Sequence, residues 1–196
     1  MTEQAISELS TLTSNLSVNR GTGAGGANTN INGVKLEDQV RTTISKNIEV
    51  IKSEETDNKW KIEMVMIEGN EYIRAPEYAF KRYEVRNGTT SINGKLAGTI
   101  LPDDALINEV KKYINWLEAK RQDGTGSVSE KLQTPNLKKE NLKERFPDYD
   151  INYIYILDHK FKEIAPAEIN YLKKYNVPYI FDNDTDFEKN LLKLIK

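Results

Sequence analysis

The stretch Leu101–Gly124, LPDDALINEVKKYINWLEAKRQDG, contains the pattern that best predicts how this chain folds. Residues 104–110 and 112–120 are rich in aliphatic, β-branched and aromatic residues, and the Lys111-Lys112 pair marks the point where the two runs meet. Short runs of this kind that flank a polar pair predict two antiparallel strands joined by a turn. Pro102 fixes φ and cannot donate to a strand ladder, which suits the start of the first strand.

Two acids and a lysine are spaced along this hairpin. Side chains alternate along a strand, so Glu118 and Lys120 share one face about 6–7 Å apart, while Ala119 faces the opposite side. Pairing of the strands places the carboxylate of Asp103 beside Glu118. Because Asp104 follows directly, these residues alone leave open which of the two aspartates faces Glu118.

The remaining chain alternates between helical and extended patterns. A stripe of Leu36, Val40, Ile44, Ile48 and Ile51 predicts a helix over 36–53 that carries Glu37 and Asp38 in its first turn. Helices are also predicted over 127–146 with a break at Pro135, over 165–176, and over 185–196 with Thr185 as the cap. Strands are predicted at 60–67, 71–74, 77–85, 96–101, 151–157 and 177–181.

This order of elements predicts an α/β fold with a central mixed β-sheet flanked by helices. The length of 196 residues suits one domain over residues 1–196. Residues 1–19 are expected to form a loose arm, and residues 21–33 a Gly/Asn-rich loop.

Composition narrows the classes of function. The chain has no cysteine, which excludes disulfides and thiolate zinc sites, and a single histidine, His159, which is expected on a surface loop. The net charge of −2 means that nucleic acid would have to be held by local clusters, such as the basic residues of 131–145. No apolar run approaches the ~18 residues of a membrane span, and no signal peptide is recognised, so a cytoplasmic protein without membrane contact is expected.

The acid pair and the lysine suit metal-dependent phosphodiester hydrolysis. Two adjacent carboxylates repel each other unless a cation lies between them, and Mg²⁺ prefers such oxygen ligands. The ammonium of Lys120 can hold an attacking water and stabilise charge on the phosphorus. The simpler interpretation is a surface hairpin with a Glu118–Lys120 ion pair.

The same residues resemble the PD-(D/E)XK nuclease superfamily: Pro102-Asp103, followed by Glu118-Ala119-Lys120. The continuation EAKRQDG is similar to type II restriction endonucleases of the EcoRI and MunI kind. The segment 126–134, GSVSEKLQT, resembles the part of those enzymes that opens a recognition helix, with Lys131 in place of their arginine and Val128 in place of alanine. Segment 23–38, GAGGANTNINGVKLED, resembles their N-terminal segments, which lead into a helix with an early glutamate.

The resemblance implies a restriction-endonuclease-like core and a homodimer that cuts both strands of double-stranded DNA with Mg²⁺, leaving 5′-phosphate ends. It implies Asp103, Glu118 and Lys120 as catalytic residues, and Glu37 as an accessory acid. The metal ligands would be the two carboxylates and the backbone carbonyl of Ala119. The residues expected to contact DNA are Asn28, Asn30, Arg121, Gln122, Ser127, Glu130, Lys131, Gln133, Thr134 and Lys138.

Two other functions stay open at this point: a repair or recombination nuclease that reads DNA structure, and a catalytically silent DNA-binding module. The dimer interface is expected around residues 72–84, where Tyr78, Phe80 and Tyr83 are concentrated, because aromatic residues are enriched at interfaces. The alternative is that these rings pack in the core.

Overall fold

One seven-stranded sheet follows the order of the chain. This computed structural model describes residues 26–87, 100–122 and 128–196, and only the backbone of 26–34 and 128–129. The strands are β1 (Glu49–Ser53), β2 (Glu63–Ile67), β3 (Asn70–Arg74), β4 (Asp104–Asn108), β5 (Tyr113–Lys120), β6 (Asp150–Leu157) and β7 (Tyr179–Phe181). Neighbours from β1 to β5 are antiparallel, and β5, β6 and β7 are parallel, so the predicted mixed sheet is confirmed.

Helices cover both faces of the sheet. They are α1 (Gly26–Asn47), α2 (Tyr78–Arg86), α3 (Val128–Lys131), α4 (Pro135–Arg145), α5 (Phe161–Ile164), α6 (Pro166–Lys174) and α7 (Phe187–Leu194). One core lies between the sheet and α2, α4 and α6, and the other between the sheet and α1 and α7. Strand β5 serves both cores, because Trp116 packs into the first and Leu117 and Ala119 into the second.

Helix α1 differs from the prediction at both ends. It begins at Gly26, so most of the predicted loop 21–33 is helical, and it ends at Asn47, where β1 takes over. No proline interrupts residues 26–35, so the backbone continues the helix without an apolar stripe. Glu37 and Asp38 consequently lie inside the helix and pair with Arg41 at 3.5 and 3.4 Å, not with the helix terminus.

Residues 77–85, predicted as a strand, form α2. Ala79, Phe80, Tyr83 and Glu84 are buried, and this spacing matches one face of a helix. The aromatic residues suggested a strand, but packing against Trp116 and Phe146 determines the conformation. Because Phe80 and Tyr83 are core residues, the proposed aromatic dimer interface at 72–84 is wrong for these two rings, and Tyr78 alone of the three is exposed.

Three smaller differences concern local signals. Helix α7 begins at Phe187 with Asp186 in the cap position, and the predicted cap Thr185 lies one residue before Asp186. Helix α5 was not predicted, and Ile100 and Leu101 of the strand predicted at 96–101 are not in a strand. The arm 1–19, residues 21–25 of the predicted loop and residues 96–99 lie outside the described residues.

Candidate active site

The carboxylate of Asp103 is fastened to the end of β5. The backbone N–H of Asp103 donates to the carbonyl of Leu117 at 3.2 Å, and the N–H of Ala119 donates to Asp103 Oδ2 at 2.7 Å. Glu118 lies between these two anchor points on β5. The antiparallel pairing of β4 with β5 therefore brings the two acids together, although 15 residues separate them along the chain.

Glu118 is surrounded by donors. Its Oε1 lies 2.6 Å from Lys120 Nζ and 3.3 Å from Lys138 Nζ. Its Oε2 accepts a hydrogen bond from Trp116 Nε1 at 3.2 Å. Lys120 Nζ also donates to the carbonyl of Ala119 at 3.0 Å, so one ammonium joins Glu118 to the backbone beside Asp103.

Burial and the neighbouring charges set the ionisation of this cluster. Burial, followed by the charge of Glu118, raises the pKa of Asp103 to about 7. Burial acts on Glu118 in the same direction, but Lys120 and Lys138 outweigh it and hold the pKa of Glu118 below its usual range. Burial alone would lower the pKa of Lys120, yet Glu118 and Asp103 reverse the effect and raise it. At neutral pH the cluster thus combines an ionised Glu118 and a charged Lys120 with an Asp103 that is easily protonated.

Asp104 belongs to a different set of contacts. It is fully buried, and its Oδ2 accepts from Arg74 Nε at 2.9 Å and Nη2 at 2.8 Å. Arg74 also donates to Ser45 Oγ of α1 at 3.0 Å. Asp104 therefore ties the sheet to α1, and Asp103 is the aspartate that meets Glu118.

Glu37 lies close enough for its charge to act on the cluster. It contributes to the raised pKa values of both Asp103 and Lys120. Its carboxylate is paired with Arg41, which also bonds Glu77 just before α2. Helix α1 thus brings a third acid to the site.

The donor set fits a hard divalent cation. The carboxylates of Asp103 and Glu118 and the carbonyl of Ala119 are oxygen ligands of the type that Mg²⁺ takes, usually together with several waters. All three groups lie at the end of β5, and the ammonium groups of Lys120 and Lys138, which contact Glu118, show that positive charge is stabilised here.

The residues expected to contact DNA fall into separate environments. Glu130, Lys131 and Gln133 are exposed on α3 and just after it, and Thr134 is half-buried before α4. Arg121 pairs with the buried carboxylate of Asp158 at 3.3 Å. Gln122, which follows the end of β5, is buried. Burial is unfavourable for the predicted DNA contact. The side chains of Asn28 and Asn30, and all of Ser127, lie outside the described residues.

Lys138 was predicted to hold the DNA backbone, but the structure places its ammonium within the acid cluster. It donates to Tyr153 Oη at 3.0 Å in addition to its contact with Glu118. The prediction treated the basic residues of α4 as one exposed set. Lys143 is exposed, and it bonds the carbonyl of Tyr149 at 2.8 Å, whereas Arg145 is largely buried and pairs with Glu84.

Tyr153 itself was not recognised from the sequence. Strand β6 pairs with β5 in parallel, and Tyr153 lies opposite Trp116 in that register. Its ring stacks on Trp116 with centroids 6.2 Å apart. The alternating tyrosines of INYIYIL show that Tyr153 and Tyr155 share one face of a strand. The sequence does not show which residue of β5 lies opposite Tyr153, because that depends on the pairing of β5 with β6.

A second group of potential ligands lies at the ends of β6 and β7. Atoms of Asp158, His159 and Asp182 approach within 4.8 Å of one another, and the His159 side chain is 47% exposed, as predicted for a surface position. The oxygens already have partners: Asp182 Oδ1 accepts from the His159 N–H at 2.8 Å, and Asp158 Oδ1 accepts from the Lys160 N–H at 3.0 Å. These bonds give the group a structural role, because they fix the backbone at the ends of β6 and β7.

Comparison with known proteins yields no relative: no family model, no curated protein and no solved structure matches the chain. Among the described residues, no helix combines the length and apolar character needed to cross a membrane. Inferences about function therefore rest on the geometry of the site.

Proposed function

We propose that this protein is a type II restriction endonuclease with a PD-(D/E)XK-type core, which cuts double-stranded DNA at a specific sequence using Mg²⁺. One observation carries the proposal: Asp103, Glu118, Lys120 and the Ala119 carbonyl converge at the end of one strand. A surface ion pair would account for Glu118 and Lys120, but it would not require a second buried acid bound to the same strand.

Each member of the group has a distinct task. Asp103, Glu118 and the Ala119 carbonyl would hold the ion, which would supply positive charge next to the phosphate and favour loss of a proton from the attacking water. Lys120 orients the attacking water and stabilises the charge that develops on the phosphate oxygens. The water oxygen bonds to phosphorus as the bond from phosphorus to the 3′-oxygen breaks. The attacking water gives up a proton to solvent, and the leaving 3′-oxygen takes a proton from solvent. The products are a 5′-phosphate and a 3′-hydroxyl.

Recognition of the sequence is assigned to the segment from Glu130 to Thr134. Glu130 can accept a hydrogen bond from adenine N6 or cytosine N4, and Lys131 can donate to guanine. Both side chains are exposed. Cutting of both strands at one place requires two copies of the site, and a two-fold dimer matches a palindromic target.

The test is digestion of a DNA of known sequence. Wild-type protein and a Glu118→Gln variant, purified identically, are incubated with plasmid in Mg²⁺ and in EDTA, and the ends are sequenced. We expect discrete fragments with 5′-phosphates from the wild type in Mg²⁺ only. Glu140→Gln, which alters an exposed glutamate of α4, is the matched control and should cut normally.

Other results distinguish the rival functions. A smear of fragments, or cutting restricted to branched DNA, would indicate a nuclease that recognises DNA structure and not a specific sequence. DNA binding without cutting under any metal would indicate a silent binding module. Equal cutting by Glu118→Gln would refute the assignment of the site.

A further inference from the structure

The side chain of Lys138 reaches from α4 into the acid cluster. Its Nζ lies 3.0 Å from Tyr153 Oη and 3.3 Å from Glu118 Oε1. It is also 5.6 Å from the centroid of the Tyr153 ring, and only 23% of the side chain is exposed. The contact is therefore part of the packed structure and not an encounter between two surface side chains.

Both oxygens of Glu118 are in use. Oε2 accepts from Trp116, and Oε1 contacts both Lys120 and Lys138. A metal ion bound by Glu118 needs at least one of these oxygens. Trp116 and Lys120 belong to β5 itself, whereas Lys138 comes from a different element and makes the longest of the three contacts. Of these three donors, Lys138 is the one that can leave without disturbing the strand.

Charge leads to the same residue. With every group ionised, Asp103 and Glu118 balance Lys120 and Lys138, so the four side chains are neutral without a metal. A divalent ion added between the acids gives the ion and the four side chains together a net charge of plus two. The ion and the nearby ammonium groups then repel each other strongly, because they are like charges a few ångströms apart in a partly buried site. The ion and one ammonium thus compete for the same carboxylate.

We propose that Lys138 is a positioning residue that occupies Glu118 Oε1 in the absence of an ion and yields this oxygen to the metal, its ammonium then turning to the incoming phosphate. The inference rests on the metal site of the proposed function. Helix α4 follows directly on α3, and the carbonyl of Lys131 in α3 accepts from Tyr155 Oη at 2.9 Å, on the same strand as Tyr153. DNA bound along α3 therefore acts on the element that carries Lys138.

The experiment measures metal binding without DNA. Tb³⁺ is the probe, because it is a hard cation that takes oxygen ligands and it emits when a nearby tryptophan transfers energy to it. Trp116 donates to Glu118, and Trp60 is the other of the two tryptophans. All proteins therefore carry Trp60→Phe, which makes Trp116 the sole tryptophan donor, and excitation at the red edge of the tryptophan band avoids the tyrosines. Displacement by Mg²⁺ then gives the affinity for the proposed ion.

We expect Lys138→Met to bind Tb³⁺ at least about tenfold more tightly than the parent, since a competing charge is removed and the aliphatic stem is kept. Lys138→Arg should behave as the parent. Lys139→Met removes a charge from the same helix at a half-buried position and is the matched control. Lys138→Gln is a second variant, and circular dichroism confirms that each protein is folded. Glu118→Gln should lose the signal, which locates the ion.

Equal or weaker binding by both Lys138→Met and Lys138→Gln would overturn the inference, as would a parent without a Glu118-dependent signal. The plasmid digestion separates this from failure of the proposed function. A parent that cuts DNA while Lys138→Met shows unchanged metal affinity defeats the inference alone. Tighter binding by Lys138→Met in a protein that cuts no DNA defeats the nuclease and supports the competition.

Discussion

Replacement of Asp103 by asparagine is expected to stabilise the protein at alkaline pH. The amide oxygen can still accept from the Ala119 N–H, which now bonds Asp103 Oδ2 at 2.7 Å. The substitution removes a negative charge that burial and the neighbouring Glu118 disfavour. It therefore changes the electrostatics of the site while the backbone anchor is kept.

The magnitude follows from the pKa of Asp103. Its rise from 3.8 to about 7 spans about 3 units, and each unit corresponds to about 1.4 kcal/mol, so the ionised form costs about 4 kcal/mol of folding free energy. Because the pKa is raised in the folded state, the stability contributed by this group is complete below pH 3.8 and is lost as pH rises to about 7. Asp103→Asn avoids that loss, so its advantage should appear across this window and reach a plateau above it.

The assay is urea unfolding of both proteins from pH 4 to pH 9 without divalent ions, followed by tryptophan fluorescence. Asp148→Asn, a change at an exposed aspartate, is the matched control and should shift the unfolding free energy by less than about 0.5 kcal/mol. A variant no more stable than wild type at pH 8, or one with the same gain at pH 4 and pH 8, would refute the electrostatic account.

Three further predictions test the site and its support. Lys120→Met should slow single-turnover cleavage at least about a hundredfold, the cost of removing one transition-state donor, whereas Lys173→Met, at an exposed position on α6, should cut at nearly the wild-type rate. Lys131→Ala should lower discrimination between the target and a one-base variant by about 1–3 kcal/mol in competition binding, and uniform weakening with a salt slope reduced by about one unit would make it a phosphate contact instead. Asp104→Ala should cost about 3–5 kcal/mol in urea unfolding because the buried Arg74 loses its 2.8 Å partner and keeps only the 3.6 Å contact with Glu63 and the bond to Ser45; a loss below about 1 kcal/mol would contradict the importance of this pair.

The elements that were predicted correctly have a local sequence pattern that indicates their structure without knowledge of the residues they pack against. Strands β4 and β5 are short runs of residues that are buried on both faces of the sheet, and the turn at Lys111-Lys112 joins them as expected. The predicted alternation of Glu118 and Ala119 is seen in the sheet, since Ala119 packs into the second core. Helix α2 was missed because its aromatic residues favour strands in isolation, and only the opposing Trp116 and Phe146 show that they form a helical face.

The site divides in the same way. A single hairpin is enough to bring Asp103 close to Glu118, and a hairpin is a local feature that can be predicted from the spacing of residues along the chain. The choice between Asp103 and Asp104 depends on Arg74, which reaches β4 from β3 and occupies the second acid. The position of Lys138 depends on how α4 crosses β6, and no local pattern encodes that crossing.

The two lysines also offset the cost of burying a pair of acids. An unpaired buried carboxylate destabilises a fold, and two adjacent ones do so more. Lys120 offsets part of this from within β5, and Lys138 adds the neutralising charge from a helix that packs on the sheet. The stability of the cluster therefore depends on the position of α4, the helix next to the proposed base-reading segment. A change that moves α4 alters the charge balance at Glu118, so under the proposed function DNA bound at α3 would act on the proposed metal ligand through this helix.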